Sequence, residues 1–125
     1  MKRYSKKGLE RRKAERECLS EFFERHIEIA KNKKCEECGE RLIGDSSEIA
    51  HVLPKKVFKS VMCEDDGVLY LCGKFSSNQC HTNLDNLPDE KIKEMRVYPK
   101  IQEIFQQLKD RITEKITYKT YDRYE

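Results

Sequence analysis

The chain has no tryptophan, no apolar run near the roughly 18 residues needed to cross a bilayer, and no internal repeat or low-complexity linker. Its start, MKRYSKKGLERRK, is basic but lacks the apolar stretch of an export signal, so the expected location is cytoplasmic. Hydrophobic residues are scarce at 37%, and over 125 residues they allow one modest core that needs a staple. Charge is abundant at 39%, yet five Phe, six Tyr and clear apolar periodicity exclude a disordered chain. Six cysteines in an exported chain of this size would suggest disulfides; in a reducing cytosol they read first as metal ligands.

The net charge of +3 conceals an asymmetry. Residues 1–34 carry 12 Lys and Arg against 6 Asp and Glu, whereas residues 35–125 carry 14 against 17. A basic segment beside a near-neutral body is a footprint of nucleic-acid binding, because each cation near a phosphate releases condensed counterions. Lys6, Lys7, Arg11 and Arg12 are the candidate contacts; a solvated, solubilising helix face is the simpler alternative.

From about Gly8 to Lys33, Cys18, Leu19, Phe22, Phe23, Ile27 and Ala30 recur at three- and four-residue steps, the stripe of an amphipathic helix. His26 lies beside that stripe as a boundary residue without a chemical role. Short segments follow. Residues 48–53 alternate like a strand ended by Pro54, and Val68 to Leu71 form a second apolar run after the turn signal Asp65-Asp66-Gly67. A helix is expected after Cys80, ending before Pro88. Ile92, Met95, Ile101, Ile104, Phe105, Leu108 and Ile112 then predict one or two helices around a break at Pro99, packing back on the body. The final TYKTYDRYE interleaves Tyr with charge; base stacking is conceivable, but a frayed terminus is the expectation.

Zinc takes four soft or borderline ligands in a tetrahedron, and two ligand pairs on separate turns meet that need with little strain. Cys35 and Cys38 form a C-x2-C knuckle with Gly39 available for the tight backbone, and Cys72 and Cys80 form the second pair across a seven-residue gap. A loop of that length still closes on a metal, because closure entropy grows slowly with length. These four are the predicted structural Zn2+ ligands. Cys18 and Cys63 are left as buried free thiols.

The order C-x2-C, Ala50-His51-Val52-Leu53-Pro54-Lys55, Leu71-Cys72, Cys80-His81 resembles the zinc-containing, four-cysteine branch of the HNH (His-Me finger, ββα-metal) endonucleases, a family common in bacteria and phages. The resemblance covers about 50 residues, from Cys35 to Asn86. It implies an α+β fold with a small zinc-stabilised ββα-metal core at 35–87, to which the periodicity above adds a basic helical arm at 1–34 and a helical segment and tail at 88–125. It further implies that His51 is the general base and that His81, directly after the last zinc cysteine, helps hold a catalytic Mg2+ or Mn2+. Asp85, four residues on, matches a further ligand of some members. Two positions depart from the pattern. Ala50 stands where the family has a metal-binding Asp or His, and Glu48, on the same strand side, is the expected substitute. The family's middle Asn is missing, with Asp65 and Asp66 in that neighbourhood.

A base near neutral pKa and a cation that polarises the phosphodiester are what this hydrolysis requires, and His51 with His81 would supply its two ends. Lys55, Lys56 and Lys59 follow the base and suit phosphate contact. The expectation is therefore a metal-dependent DNA endonuclease or nickase. A catalytically inactive zinc-binding adaptor on the same fold is the alternative, and a zinc-ribbon-like interaction protein whose two histidines share no site is a third.

Overall fold

A computed structural model describes residues 5–125; residues 1–4 of the basic arm lie outside them. Helix α1 spans Lys6–Ala30. It is capped by Ser5, whose hydroxyl accepts the Gly8 N–H at 3.1 Å. At 1.5 Å per residue it is about 37 Å long, and its two halves differ. Phe22, His26 and Ala30 are buried and Phe23 and Ile27 half-buried, whereas Lys6, Lys7, Arg11, Arg12, Lys13 and Arg16 are all exposed. The second half is thus held by its apolar stripe and the first half extends into solvent as a cationic rod.

After α1 come strand β1 (Ile49–His51), strand β2 (Val68–Tyr70) and helices α2 (Cys80–Asn86), α3 (Asp89–Ile92), α4 (Tyr98–Leu108) and α5 (Tyr118–Tyr124). The strands pair antiparallel, with Ile49 opposite Tyr70, Ala50 opposite Leu69 and His51 opposite Val68. The Val52 N–H donates to the Gly67 carbonyl and the Leu71 N–H to that of Glu48, which extends the ladder at both ends. The architecture is α+β: a two-stranded sheet among helices, with a cysteine cluster at one end.

The C-x2-C segment is a tight turn. The Gly39 N–H donates to the Cys35 carbonyl at 2.9 Å, and Gly39 sits at φ +81°, a conformation a side chain would strain. The two glutamates between the cysteines lock this turn to the rest. Glu36 accepts the Tyr70 N–H at 2.7 Å at the end of β2, and Glu37 accepts those of Arg96 and Val97 at 2.8 and 3.1 Å just before α4.

Phe22, Ile49, Leu69, Leu71, Ile92, Ile101, Phe105 and Leu108 form the fully buried centre. Pro99 starts α4 rather than breaking a helix, since a first-turn proline forfeits no helical hydrogen bond. Ile101, Ile104, Phe105 and Leu108 then face inward at helical spacing.

Two sequence expectations are corrected here. The carboxy terminus is not frayed: α5 docks, with Tyr124 buried, its ring stacked on Phe105 at 5.4 Å and its hydroxyl donating to the Val52 carbonyl at 2.9 Å. Cys18 and Cys63 are not free thiols but a disulfide, with Cα atoms 6.3 Å apart. It joins the inner face of α1 to the β1–β2 loop across 45 residues of sequence, a proximity that only the docking of α1 creates.

Candidate functional site

The four predicted ligands Cys35, Cys38, Cys72 and Cys80 converge, with all Sγ atoms within 4.8 Å of one another. A tetrahedral ion with Zn–S near 2.3 Å requires S···S edges of about 3.8 Å. The Cys38 to Cys72 separation is 3.7 Å. Backbone donors point at the sulfurs: Cys38 N–H at Cys35 Sγ, 3.5 Å, and Cys80 N–H at Cys72 Sγ, 3.3 Å. Burial pushes the Cys35 thiol up, and burial with the neighbouring thiols of Cys72, Cys35 and Cys38 drives Cys80 far up. Burial raises Cys38 too, but hydrogen bonds from the Glu40 backbone, Asn78, Cys35 and Cys72 outweigh it and bring its pKa to about 7. Thiols this close resist ionising together, and a divalent cation such as zinc supplies the charge that lets them do so.

The cluster positions what lies beside it. Cys72 follows β2 and Cys80 opens α2, and the His81 N–H donates to the Cys72 carbonyl at 3.2 Å. Gly73 brings the loop so close to Ser47 that a Cβ there would meet the Ser47 Oγ at 2.1 Å. Lys74 N–H donates to that same hydroxyl at 3.1 Å. Ser47 in turn holds His81, whose Nδ1–H donates to the Ser47 carbonyl at 2.5 Å.

That hydrogen bond commits the Nδ1 proton, so in a neutral ring Nε2 carries the lone pair. Asp85 Oδ2 lies 3.4 Å from Nε2, one turn along α2. Nε2 and the carboxylate together form a place for a proton or a cation. His51 is fixed in a complementary way. Its Nε2–H donates to the Met62 carbonyl at 2.8 Å, so Nδ1 is the acceptor of the ring. Phe22 stacks on the ring at 4.9 Å and Phe23 meets it edge-on at 5.7 Å. Burial pushes the His51 pKa down; the Met62 carbonyl opposes this, and the charges of Lys55, His81 and His26 add to it.

His51 and His81 line one cavity of about 770 Å3, together with Phe23, Lys55, Lys56, Leu84, Asp85, Arg123 and Tyr124. Both histidines thus face one cavity. Lys55 is half-buried, its Nζ 5.1 Å from the Phe23 ring centroid, and Lys56 is exposed at the rim.

Glu48 is not part of this cavity. Its buried carboxylate accepts three backbone N–H groups, from Ile43, Gly44 and Asp45 at 3.0, 2.7 and 2.8 Å, in a reciprocal cap with Asp45. Strand parity explains the correction: Ile49 and His51 point to the cavity, so Glu48 and Ala50 point away from it. Ala50 is fully buried.

His26 and the turn aspartates are structural. The His26 Nε2–H donates to Asp65 at 2.8 Å and Nδ1 accepts from the Tyr70 hydroxyl at 2.7 Å, bridging α1, the turn and β2. The His26 hydrogen bond, then that from Arg25, holds the Asp65 carboxyl below its usual range. Asp66 pairs with Arg111 at 3.3 Å. Neither aspartate lines the cavity.

Arg123 and Tyr124 are the cavity residues that sequence reasoning missed. The available signal was the Tyr periodicity of the tail, which marks a helix with one aromatic face. No family model, curated protein or solved structure matches the chain.

Proposed function

We propose that the chain is a metal-dependent endonuclease or nickase of the HNH type, hydrolysing DNA phosphodiester bonds on a zinc-stabilised ββα core. The observation that carries this reading is the pair of histidines lining one cavity, each pinned through one ring nitrogen to a backbone carbonyl so that the other nitrogen keeps its lone pair. Such pinning is what a positioned base and a positioned ligand both need.

His51 is the general base. Its lowered pKa keeps the ring neutral near pH 7, ready to take a proton from water through Nδ1. His81 and Asp85 are the residues that would hold Mg2+ or Mn2+, hard cations that keep several waters and accept substrate phosphate oxygens as further ligands. When bound, the ion polarises the phosphodiester and stabilises the departing oxygen. Lys55 and Lys56 draw the phosphate backbone to the cavity mouth, and the exposed Lys6, Lys7, Arg11 and Arg12 on α1 extend the electrostatic track.

The test is nicking of supercoiled plasmid by purified, zinc-loaded protein in Mg2+ or Mn2+. His51→Ala should slow it by about 10²- to 10⁴-fold. Cleavage unchanged in His51→Ala rejects the mechanism. The adaptor reading is favoured by one observation: with Ala50 and Glu48 both turned from the cavity, His81 and Asp85 are the two protein ligands left for a catalytic ion. DNA binding without cleavage in either metal would establish it.

A further inference from the structure

The glutamates of α1 are not scattered. Glu10, Glu17, Glu21, Glu24 and Glu28 follow one another at steps of seven, four, three and four residues, so at about 100° per residue they form a single stripe. All five are exposed, and the stripe lies opposite Phe22, His26 and Ala30, the buried residues that dock the helix. The outer face of α1 is therefore predominantly acidic, with Lys13 at the edge of the stripe.

Arg16 stands apart from the other cations of the rod. Lys6, Lys7, Arg11, Arg12 and Lys13 each have a glutamate three or four residues away, the spacing at which helical side chains meet. Arg16 has none: Arg12, Lys13, Leu19 and Ser20 occupy those places. Glu15, beside it in sequence, is half-buried, its carboxylate 3.8 Å from the Lys59 Nζ. Arg16 is exposed and precedes Phe23 by seven residues, nearly two turns, so both lie on one flank of α1, with Arg12 one turn further out. That flank leads to the histidines. Phe23 lines their cavity, meets the His51 ring edge-on at 5.7 Å and has the Lys55 Nζ 5.1 Å from its centroid. From Arg16 to Phe23 the helix rises about 10 Å, a reach that one DNA strand covers in about three phosphates.

We propose that Arg16 contacts a DNA phosphate and that α1 admits DNA along one flank, the one carrying Arg12, Arg16 and Phe23, because the glutamate stripe repels it from the outer face. The proposal rests on the nucleic-acid reading above and deepens it: the rod directs a strand toward the cavity as well as attracting it.

The test measures binding of a short DNA duplex to zinc-loaded full chain over a salt series. Arg16→Gln exchanges one exposed, good helix former for another, so Tm should not move. It should lower the slope of log affinity on log salt by about one, and Arg16→Lys should keep the slope. Lys13→Gln, the same change of charge at the edge of the stripe, should leave the slope as in wild type. A slope unchanged in Arg16→Gln, or lowered as much in Lys13→Gln, overturns the proposal. A slope lowered in Arg16→Gln alone, with no plasmid nicking by wild type, keeps the DNA flank and rejects the nuclease. Nicking with equal slopes in wild type and both Gln variants keeps the nuclease and leaves α1 without a preferred flank.

Discussion

Ala50→Asp separates what sequence pattern suggests from what the fold allows. Pattern alone says that an aspartate before His51 should restore a missing ligand and raise activity. The structure says otherwise: Ala50 is 0% exposed, pairs with the fully buried Leu69 and lies on the strand side opposite His51. Enlarging a packed position costs about 1–3 kcal/mol. Burying an unpaired carboxyl costs about another 1–3 kcal/mol even when protonated. Against a total stability of about 5–15 kcal/mol, this is a large fraction. For a chain of this length the fall in Tm should be roughly 10–20 °C. Burial would also raise the new carboxyl's folded-state pKa above the unfolded value of about 3.9. The unfolded chain then releases that proton first, so the deficit should widen as pH rises from 5 to 8. Thermal melts of zinc-loaded wild type and variant at both pH values measure this. If Ala50→Asp melts within about 2 °C of wild type and nicks plasmid faster in Mn2+, Ala50 faces the cavity and the parity argument fails.

About one zinc per chain should copurify; Cys72→Ser or Cys80→Ser should unfold the centre rather than only lower activity, since structural zinc is worth about 10–16 kcal/mol in small domains. Elemental analysis and hydrogen exchange check this, and protein with no zinc and unchanged protection of β2 would refute it. Deleting residues 1–12 should flatten the salt dependence of DNA binding while shifting Tm little, because the described part of this segment is almost wholly exposed; a retained slope would make the rod a solvated surface. Because burial lowers the His51 pKa, the acid limb of the cleavage profile should fall below the ordinary histidine value of about 6.5. The same shift has a stability sign: the unfolded chain protonates His51 first, so its contribution is intact above about pH 6.5 and is lost as pH falls through the window below it. A pH–rate profile and melts between pH 5 and 8 read both.

The parts of this fold that were legible in sequence are those governed by local rules. The C-x2-C spacing constrains its own turn, and the period of Phe22, Phe23, Ile27 and Ala30 defines the docked face of α1. The illegible parts depended on who would claim a polar group first. Glu48 looked available because composition cannot show that three backbone amides already occupy it. Cys18 and Cys63 looked like separate thiols because sequence distance says nothing about the docking of α1 on the β1–β2 loop. The Tyr-rich tail was misread for a related reason: Tyr118 and Tyr121 are exposed, so the pattern looked solvated, yet Tyr124 is buried and anchors the helix, with the Tyr121 ring edge-on to Phe105.

The anchoring residues lie around the cavity rather than in it. The Met62 carbonyl orients His51 and the Ser47 carbonyl orients His81; Ser47 lies in the single 3-10 turn Ser46–Glu48, and Met62 caps the end of another, Lys59–Val61. Each of these short turns is tied from outside. The Cys18–Cys63 bond fixes the residue next to Met62, while Gly73 and Lys74 of the cysteine loop close on Ser47. The cysteine cluster thus acts on His81 through both the start of α2 and the Ser47 carbonyl, two routes that fail together if the cluster opens. The α1 docking acts on His51 by a separate route, through the loop and the Phe22 stack. Opening of the cysteine cluster should consequently displace His81 before His51, a sequence that the ring proton signals of the two histidines resolve during stepwise chelation of zinc-loaded protein.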